Sequence, residues 1–180
     1  MKLFIDTEFT GLKQNTNLIS IGIISENNHE FYAEFSDYNK MYIDKWLYEN
    51  VIENLIFQNL PSPMKKIEEN NTMIYGDSKY IKNELEKWLL KIKKEFNVDN
   101  FEIWSDCLSY DWVLFNELWG GALFIPNYIY YIPFDICTIF KLKEIDPDIS
   151  REEFSGIYDL KKHNALDDAR IIKYCYELLT

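Results

Sequence analysis

Four carboxylates and one histidine lie at positions where charged side chains seldom occur without a partner. Asp6 and Glu8 end an apolar run two residues apart, so on a strand both face the same side. Asp111 and Asp168 each fall on the apolar stripe of a predicted helix, and His163 precedes the second helix. Carboxylates repel each other and are costly to desolvate, so a cluster of them needs a cation. Because the ligands are all oxygens, Mg²⁺ or Mn²⁺ is favoured over Zn²⁺. The set therefore predicts a site for divalent cations.

The first three acids also have ordinary structural explanations. Asp6 and Glu8 are equally consistent with solvated acids at the fraying end of a strand. Asp111 is consistent with a cap at the start of its helix, a role that Ser109 could fill as well. Taken singly, none of these positions decides between a metal ligand and a structural acid.

The segment around Asp168 separates a structural acid from a candidate ligand. Asn164 is a good helix N-cap, and Asp167 then falls at the third helical position, as in a capping box. Asp167 is thereby explained, whereas Asp168 lies on the inward stripe and is not. His163 alone fits an ordinary surface or packed residue, but beside Asp168 it can reach over the same site.

The elements that must position these residues follow from hydrophobic periodicity. Strands are predicted at 2–6, 18–25, 29–35, 101–105 and 133–136. Helices are predicted at 45–57, 78–96, 110–119 and 165–179, with a short one ending near 143. Residues 146–155 are expected to form an exposed loop. Hairpin-type strands followed by alternating helices and strands predict an α/β fold, a mixed β-sheet with helices on both faces.

Length and composition fit one domain, so residues 1–180 are predicted to fold as a single unit. The 19 Lys and Arg against 30 Asp and Glu give a net charge of −11, which argues against a nucleic-acid binder with a basic surface. Bound divalent cations weaken that objection, because they return positive charge where a phosphate would lie.

The three cysteines show no paired motif spacing, so they are predicted to be reduced thiols of a cytoplasmic protein. No signal peptide or membrane span is expected.

The chemistry-bearing segments resemble a known group of enzymes. The run Asp6-Thr7-Glu8 with residues 9–11, the surroundings of Asp111, and His163 followed five positions later by Asp168 resemble the three motifs of the DEDDh superfamily of 3′→5′ exonucleases. Its fold is ribonuclease H-like. The similarity is closer to the RNase AS type of 3′→5′ exoribonuclease, through segments 18–22, 46–47, 110–113, 118–120 and 163–169. It runs from residue 2 to about residue 178.

The resemblance implies a two-metal phosphodiester hydrolysis. Asp6 would bridge two divalent cations, Mg²⁺ or Mn²⁺, with Glu8 and Asp168 completing the first site and Asp111 supporting the second. His163 would act as general base toward the attacking water. All five residues would then be catalytic, and the four acids would be the metal ligands.

Substrate contacts are expected at the turn after the first motif. The backbone of Phe9, Thr10 and Gly11 can approach a terminal ribose, and glycine permits the tight turn. Trp46 and Phe9 are candidates for stacking on bases, against the alternative of ordinary core packing. Asn17 stands where the family has an acidic residue near the bound nucleotide, so a preference for adenylate is left open.

The sequence thus predicts a metal-dependent 3′→5′ exoribonuclease acting on single-stranded RNA 3′ ends. One alternative is a DNA exonuclease of the same superfamily, which would share every site residue. Another is a catalytically silent nucleotide- or RNA-binding module. The resemblance also implies a homodimer.

Overall fold

The computed structural model describes residues 1–58 and 60–180, and within them a seven-stranded mixed sheet forms the centre of the fold. The strand order is β4-β5-β3-β2-β1-β6-β7. The strands are β1 Lys2–Phe9, β2 Leu18–Ser25, β3 Glu30–Phe35, β4 Met64–Glu68, β5 Asn71–Gly76, β6 Glu102–Ser105 and β7 Phe134–Asp135. Strands β1, β2 and β3 pair antiparallel with one another as a meander, and β4 pairs antiparallel with β5. Strand β5 runs parallel to β3, and β6 and β7 run parallel to β1.

Helices cover both faces of this sheet, as predicted. They are α1 Lys45–Asn50, α2 Ser78–Glu95, α3 Ser109–Glu117, α4 Ile136–Leu142, α5 Arg151–Ser155 and α6 Ala165–Leu179, with two short 3₁₀ turns at Lys40–Tyr42 and Ile52–Asn54. On one face, Leu85 and Leu89 of α2 belong to the main core together with Ile5 of β1. On the other, Phe4 packs against α4 and α6. The α/β class predicted from periodicity is confirmed.

The structure corrects the predicted elements in the region after α1. The helix predicted at 45–57 ends at Asn50, and a 3₁₀ turn follows. Strands β4 and β5 were not predicted. Met64–Glu68 lies at the sheet edge with mostly exposed Lys and Glu side chains, so it lacks the apolar alternation of a half-buried strand.

The predicted loop at 146–155 is also partly wrong, because α5 lies inside it. Ser150 caps this helix by accepting a hydrogen bond from the N–H of Glu153. A five-residue helix is too short to show a periodic stripe in the sequence. Within residues 1–58 and 60–180, no helix has the length and apolar character needed to cross a membrane.

Candidate active site

The candidate site lies at the edge of the sheet where three parallel strands end. Strand β1 pairs with β6 only from Lys2 to Phe4, so its later residues are free of a neighbour on that side. Strand β6 ends at Ser105 and is followed by Asp106. The carboxyl end of a parallel strand is the usual position for functional side chains in open α/β sheets. Asp6 and Glu8 therefore project into a space bounded by the loop after β6.

One face of β1 carries both of its acids. Asp6 and Glu8 share their strand face with Phe4, which packs against α6, because side chains alternate along a strand. The two acids therefore point toward the helix that carries Asp168. The predicted strand ended at Asp6, whereas β1 extends through Phe9. Both acids therefore lie within the strand and point to the same side, as their spacing predicts.

Close approach of α6 to the sheet depends on Gly22. This glycine is the register partner of Asp6 on strand β2. A Cβ atom at position 22 would lie 2.2 Å from the carbonyl oxygen of Ala165 and 2.4 Å from the Cα of Leu166. Only glycine leaves room for the first turn of α6 at this distance. The same contact brings Asp168, one turn further along, over Asp6.

The start of α6 is fixed by a cap and an ion-pair network. The Asn164 side chain accepts a hydrogen bond from the N–H of Asp167, as predicted for the cap. The carboxylate of Asp167 accepts from the Lys161 N–H and from Arg170, which also forms a two-point ion pair with Glu30 on β3. Asp167 thus has the structural role expected of it, with partners other than those of a capping box.

Asp111 enters the site from α3. It is buried, with 6% of its surface exposed, and its Oδ1 accepts hydrogen bonds from the Thr7 N–H (2.9 Å) and the Thr7 hydroxyl (2.6 Å). The cap of α3 is Leu108, and it makes no side-chain capping bond. The alternative that Asp111 or Ser109 is the N-cap of this helix is therefore wrong, and Asp111 instead joins α3 to β1.

Asp6, Glu8 and Asp168 line a cavity of about 400 Å³. Ligating atoms of Asp6, Glu8 and Asp168 all lie within 4.8 Å of one another. Asp111 lies close enough to raise the pKa of Asp6 by charge repulsion. Side chains separated by more than a hundred residues in sequence therefore form one cluster, as the spacing predicts.

Burial and mutual repulsion disfavour the charged forms of these acids. Burial first, and then the nearby carboxylates, raise the pKa of Asp6 well above its ordinary value and that of Glu8 to about 8. Burial raises the pKa of Asp168 to about 7 and that of Asp111 to about 6, the latter against the opposing hydrogen bonds from Thr7. A bound cation would reverse this effect, since opposite charge favours the ionised carboxylate.

His163 lines the same cavity. Its Nδ1 is 3.9 Å from Glu8 Oε1, and its ring meets the edge of the Trp46 ring at 5.0 Å between centroids. Burial and the neighbouring Lys162 lower the pKa of His163, which favours the neutral imidazole, the form that can accept a proton. The segment before α6 therefore carries a base within reach of the acids.

Comparison with known proteins identifies the family to which this chain belongs. The sequence profile of the Rv2179c-like 3′-5′ exoribonuclease domain matches residues 1–179. The chain belongs to this family. It is 27% identical over 126 residues to the 3′-5′ exoribonucleases Rv2179c and MT2234.1 of two Mycobacterium tuberculosis strains. The match covers 70% of this chain and 66% of each relative, slightly under two thirds of their length.

Solved structures share the fold. Cell-death related nuclease 4 (CRN-4) superposes with a TM-score of 0.64 over 99% of this chain and 62% of its own, at 14% identity. The protease and nuclease unit of Neurospora crassa Pan2 superposes with a TM-score of 0.51 over 98% of this chain and 26% of its own, at 16% identity. The ribonuclease H-like architecture predicted from the motifs of this exoribonuclease family is thereby confirmed.

Of the two residues of this Rv2179c-like domain that were predicted to stack on bases, one is packed in the core and the other is exposed. Phe9 stacks on Tyr110 at 5.2 Å and packs against the main core, whereas Trp46 is 53% exposed beside His163. Gly11 has a φ of 129°, a conformation that other residues rarely adopt. The substrate contacts predicted for these residues stay predictions.

Thr10 and Asn17 hold the turn after β1. Thr10 is only 2% exposed, and its hydroxyl pairs with that of Thr16 and accepts from the Asn17 N–H. The Asn17 side chain accepts from the N–H of Asn39, which ties the turn to the segment before α1. We assign Thr10 to holding the turn, and its predicted contact with substrate stays a prediction.

Four residues near the site of this exoribonuclease-family domain were given no role from the sequence, although Thr7 and Gly22 lie in the segments that carry the resemblance. Asp106 lies close enough to raise the pKa of Asp6, Thr7 holds Asp111, and Gly22 admits α6. Arg151 lines the cavity from α5 and bonds to Asp106. Asp106 alone carried a usable signal, namely an acid directly after an apolar strand.

Proposed function

We propose that this chain is a metal-dependent 3′→5′ exoribonuclease that removes nucleotides from single-stranded RNA. The observation that carries the proposal is the set of carboxylates of Asp6, Glu8 and Asp168, whose ligating atoms lie within 4.8 Å of one another. Such a cluster is costly to desolvate unless positive charge compensates it. Membership in the Rv2179c-like exoribonuclease family supports the same activity.

The residues fit divalent cations. Across residues 1–58 and 60–180, no Lys or Arg lies within ion-pair distance of the four acids, and His163 is the basic side chain that comes within 3.9 Å of one of them. The ligands are all carboxylate oxygens, which suit Mg²⁺ or Mn²⁺. Asp6, Glu8 and Asp168 would hold one ion, and Asp6 with Asp111 a second. When bound, the ions would acidify a water and stabilise the leaving 3′ oxygen.

Three side chains accept the proton or hold the site residues in position. His163 accepts the proton of the attacking water, for which its lowered pKa suits it. Thr7 keeps the Asp111 carboxylate in one orientation through two hydrogen bonds. The edge contact with Trp46 limits rotation of the His163 ring. These contacts support a base held in place above the acids.

Selection of a 3′ end would come from the turn after β1. Gly11 lets the backbone pass close to a terminal ribose without a side chain in the way. The exposed Trp46 offers a face on which a base can stack, next to the proposed base His163. A DNA exonuclease would need the same machinery, so the choice of RNA rests on the family alone.

The experiment compares matched RNA and DNA strands that carry 3′ tails of A, C or U (T in DNA). With Mg²⁺ or Mn²⁺ we expect stepwise shortening of RNA from the 3′ end, and the three tails measure adenylate preference. Asp6→Asn should remove turnover, whereas Asp159→Asn, an exposed aspartate, should not. Equal rates on DNA would favour the DNA exonuclease, and absence of turnover with every substrate would favour a silent binding module.

We further propose that residues 1–180 act as a single exonuclease domain in the cytoplasm and associate as a homodimer. The three cysteines are free thiols, as expected in a reducing compartment. Light scattering on the purified chain tests the dimer: a mass near 21.6 kDa would contradict it.

A further inference from the structure

A second cluster of possible ligands lies beside the acids and is not used by the proposed reaction. Asp106 and Cys107 follow strand β6, and Cys137 lies in the first turn of α4. The two sulfurs are 3.9 Å apart, and the Cys137 thiol donates a hydrogen bond to Asp106 Oδ1 at 2.9 Å. One atom from each of the three residues lies within 4.8 Å of the others.

We propose that Asp106, Cys107 and Cys137 bind a thiophilic divalent cation of the Zn²⁺ class. Two thiolates bound to one zinc at about 2.3 Å with tetrahedral angles lie about 3.8 Å apart, close to the separation of these sulfurs. Binding releases the two thiol protons to solvent, and the cation takes the place of the proton between Cys137 and Asp106. The sulfur ligands distinguish this site from the oxygen-only cluster.

Arg151 completes the charge balance of the site. Its guanidinium donates to both carboxylate oxygens of Asp106 and lies 3.2 Å from the Cys137 sulfur. Two thiolates and one carboxylate exceed the charge of a divalent cation by one, and the guanidinium cancels that excess. Partners of this kind orient the ligands of metal sites and raise the affinity for the metal.

The site opens into the cavity of the acids. Asp106 and Cys107 line that cavity, and Cys107 is exposed, which leaves room for water as a further ligand. Because Asp106 lies close enough to Asp6 to act on its pKa, a cation bound at the cysteines adds positive charge next to the proposed catalytic ions. That consequence rests on the proposed function, whereas binding of the cation itself does not.

Cadmium is the probe, because its thiolate complexes absorb in the ultraviolet through sulfur-to-metal charge transfer. The reduced, EDTA-treated full chain is titrated with Cd²⁺, and we expect a band that saturates at one equivalent and is lost when a large excess of Zn²⁺ displaces the Cd²⁺. Cys107→Ser and Cys137→Ser should each lose the band. Cys175→Ser, which removes a buried cysteine outside the cluster, should keep it.

No band in the wild type, or a band that persists when both Cys107 and Cys137 are Ser, would overturn the site. Circular dichroism melts establish that the serine variants fold. Asp6→Asn should lose exonuclease activity and keep the band, so failure of the proposed function is distinguishable from failure of this site. A thiol count below three, measured in denaturant after EDTA has removed the Cd²⁺, would indicate a disulfide and would also overturn it.

Discussion

Replacing Glu8 by Gln should stabilise the metal-free protein while removing its activity. Burial and the charges of Asp168 and Asp111 raise the pKa of Glu8 from 4.5 to about 8. Each pH unit of difference corresponds to about 1.4 kcal/mol, so at pH 7 the upper limit of this destabilisation is about 3 kcal/mol. The amide of Gln carries donors that need partners of their own, so we expect a net gain of about 1–3 kcal/mol.

The gain should depend on pH in a defined direction. A carboxyl group with a raised pKa binds its proton more tightly in the folded state than in the unfolded state. Its contribution is therefore fully present below pH 4.5 and is lost as the pH rises toward 8. The stability difference between Glu8→Gln and the wild type should grow across that interval and level off above it.

Urea and thermal unfolding in EDTA measure this prediction. We expect a melting temperature higher by roughly 3–10 °C at pH 7 for a chain of this size. Glu53→Gln, at an exposed position, is the matched control and should change stability by less than about 0.5 kcal/mol. Added Mg²⁺ should stabilise the wild type more than Glu8→Gln. A less stable Glu8→Gln protein in EDTA at every pH would refute the reasoning.

Four further substitutions test the site. His163→Ala should keep metal binding, measured by calorimetry, and lower the turnover rate by a factor of about 10²–10⁴; an unchanged rate would remove its role as base. Asp168→Ala should be severe for turnover and Asp167→Ala mild, and the opposite order would contradict the placement of α6. Gly22→Ala should destabilise the fold by about 1–3 kcal/mol or more in urea unfolding, because its Cβ would meet Ala165; unchanged stability would contradict that contact.

The parts of the site that were predictable from sequence follow from local periodicity. Asp6 and Glu8 share a strand face whatever the strand pairs with, and Asp168 falls on the inward stripe of α6 from spacing alone. The cap at Asn164 is equally local, because it needs only the residues of the first turn. These features required no knowledge of the tertiary structure.

The parts that escaped prediction depend on contacts distant in sequence. Asp106 reaches the acids because β6 runs parallel to β1, and Arg151 reaches Asp106 across 45 residues. The need for glycine at position 22 arises only when α6 docks on the sheet. Strand β4 escaped because its exposed charged side chains give no apolar alternation. None of these contacts leaves a periodic signal in the sequence.

Anomalous diffraction from crystals of the full chain soaked with Mn²⁺ and a mononucleotide tests the central claim most directly. We predict manganese peaks in contact with the carboxylates of Asp6, Glu8 and Asp168, and their loss in Asp6→Asn crystals. Mn²⁺ suits this test because it prefers oxygen ligands to the cysteine sulfurs. Saturating Mn²⁺ that leaves these three carboxylates without a peak would contradict the metal-dependent mechanism.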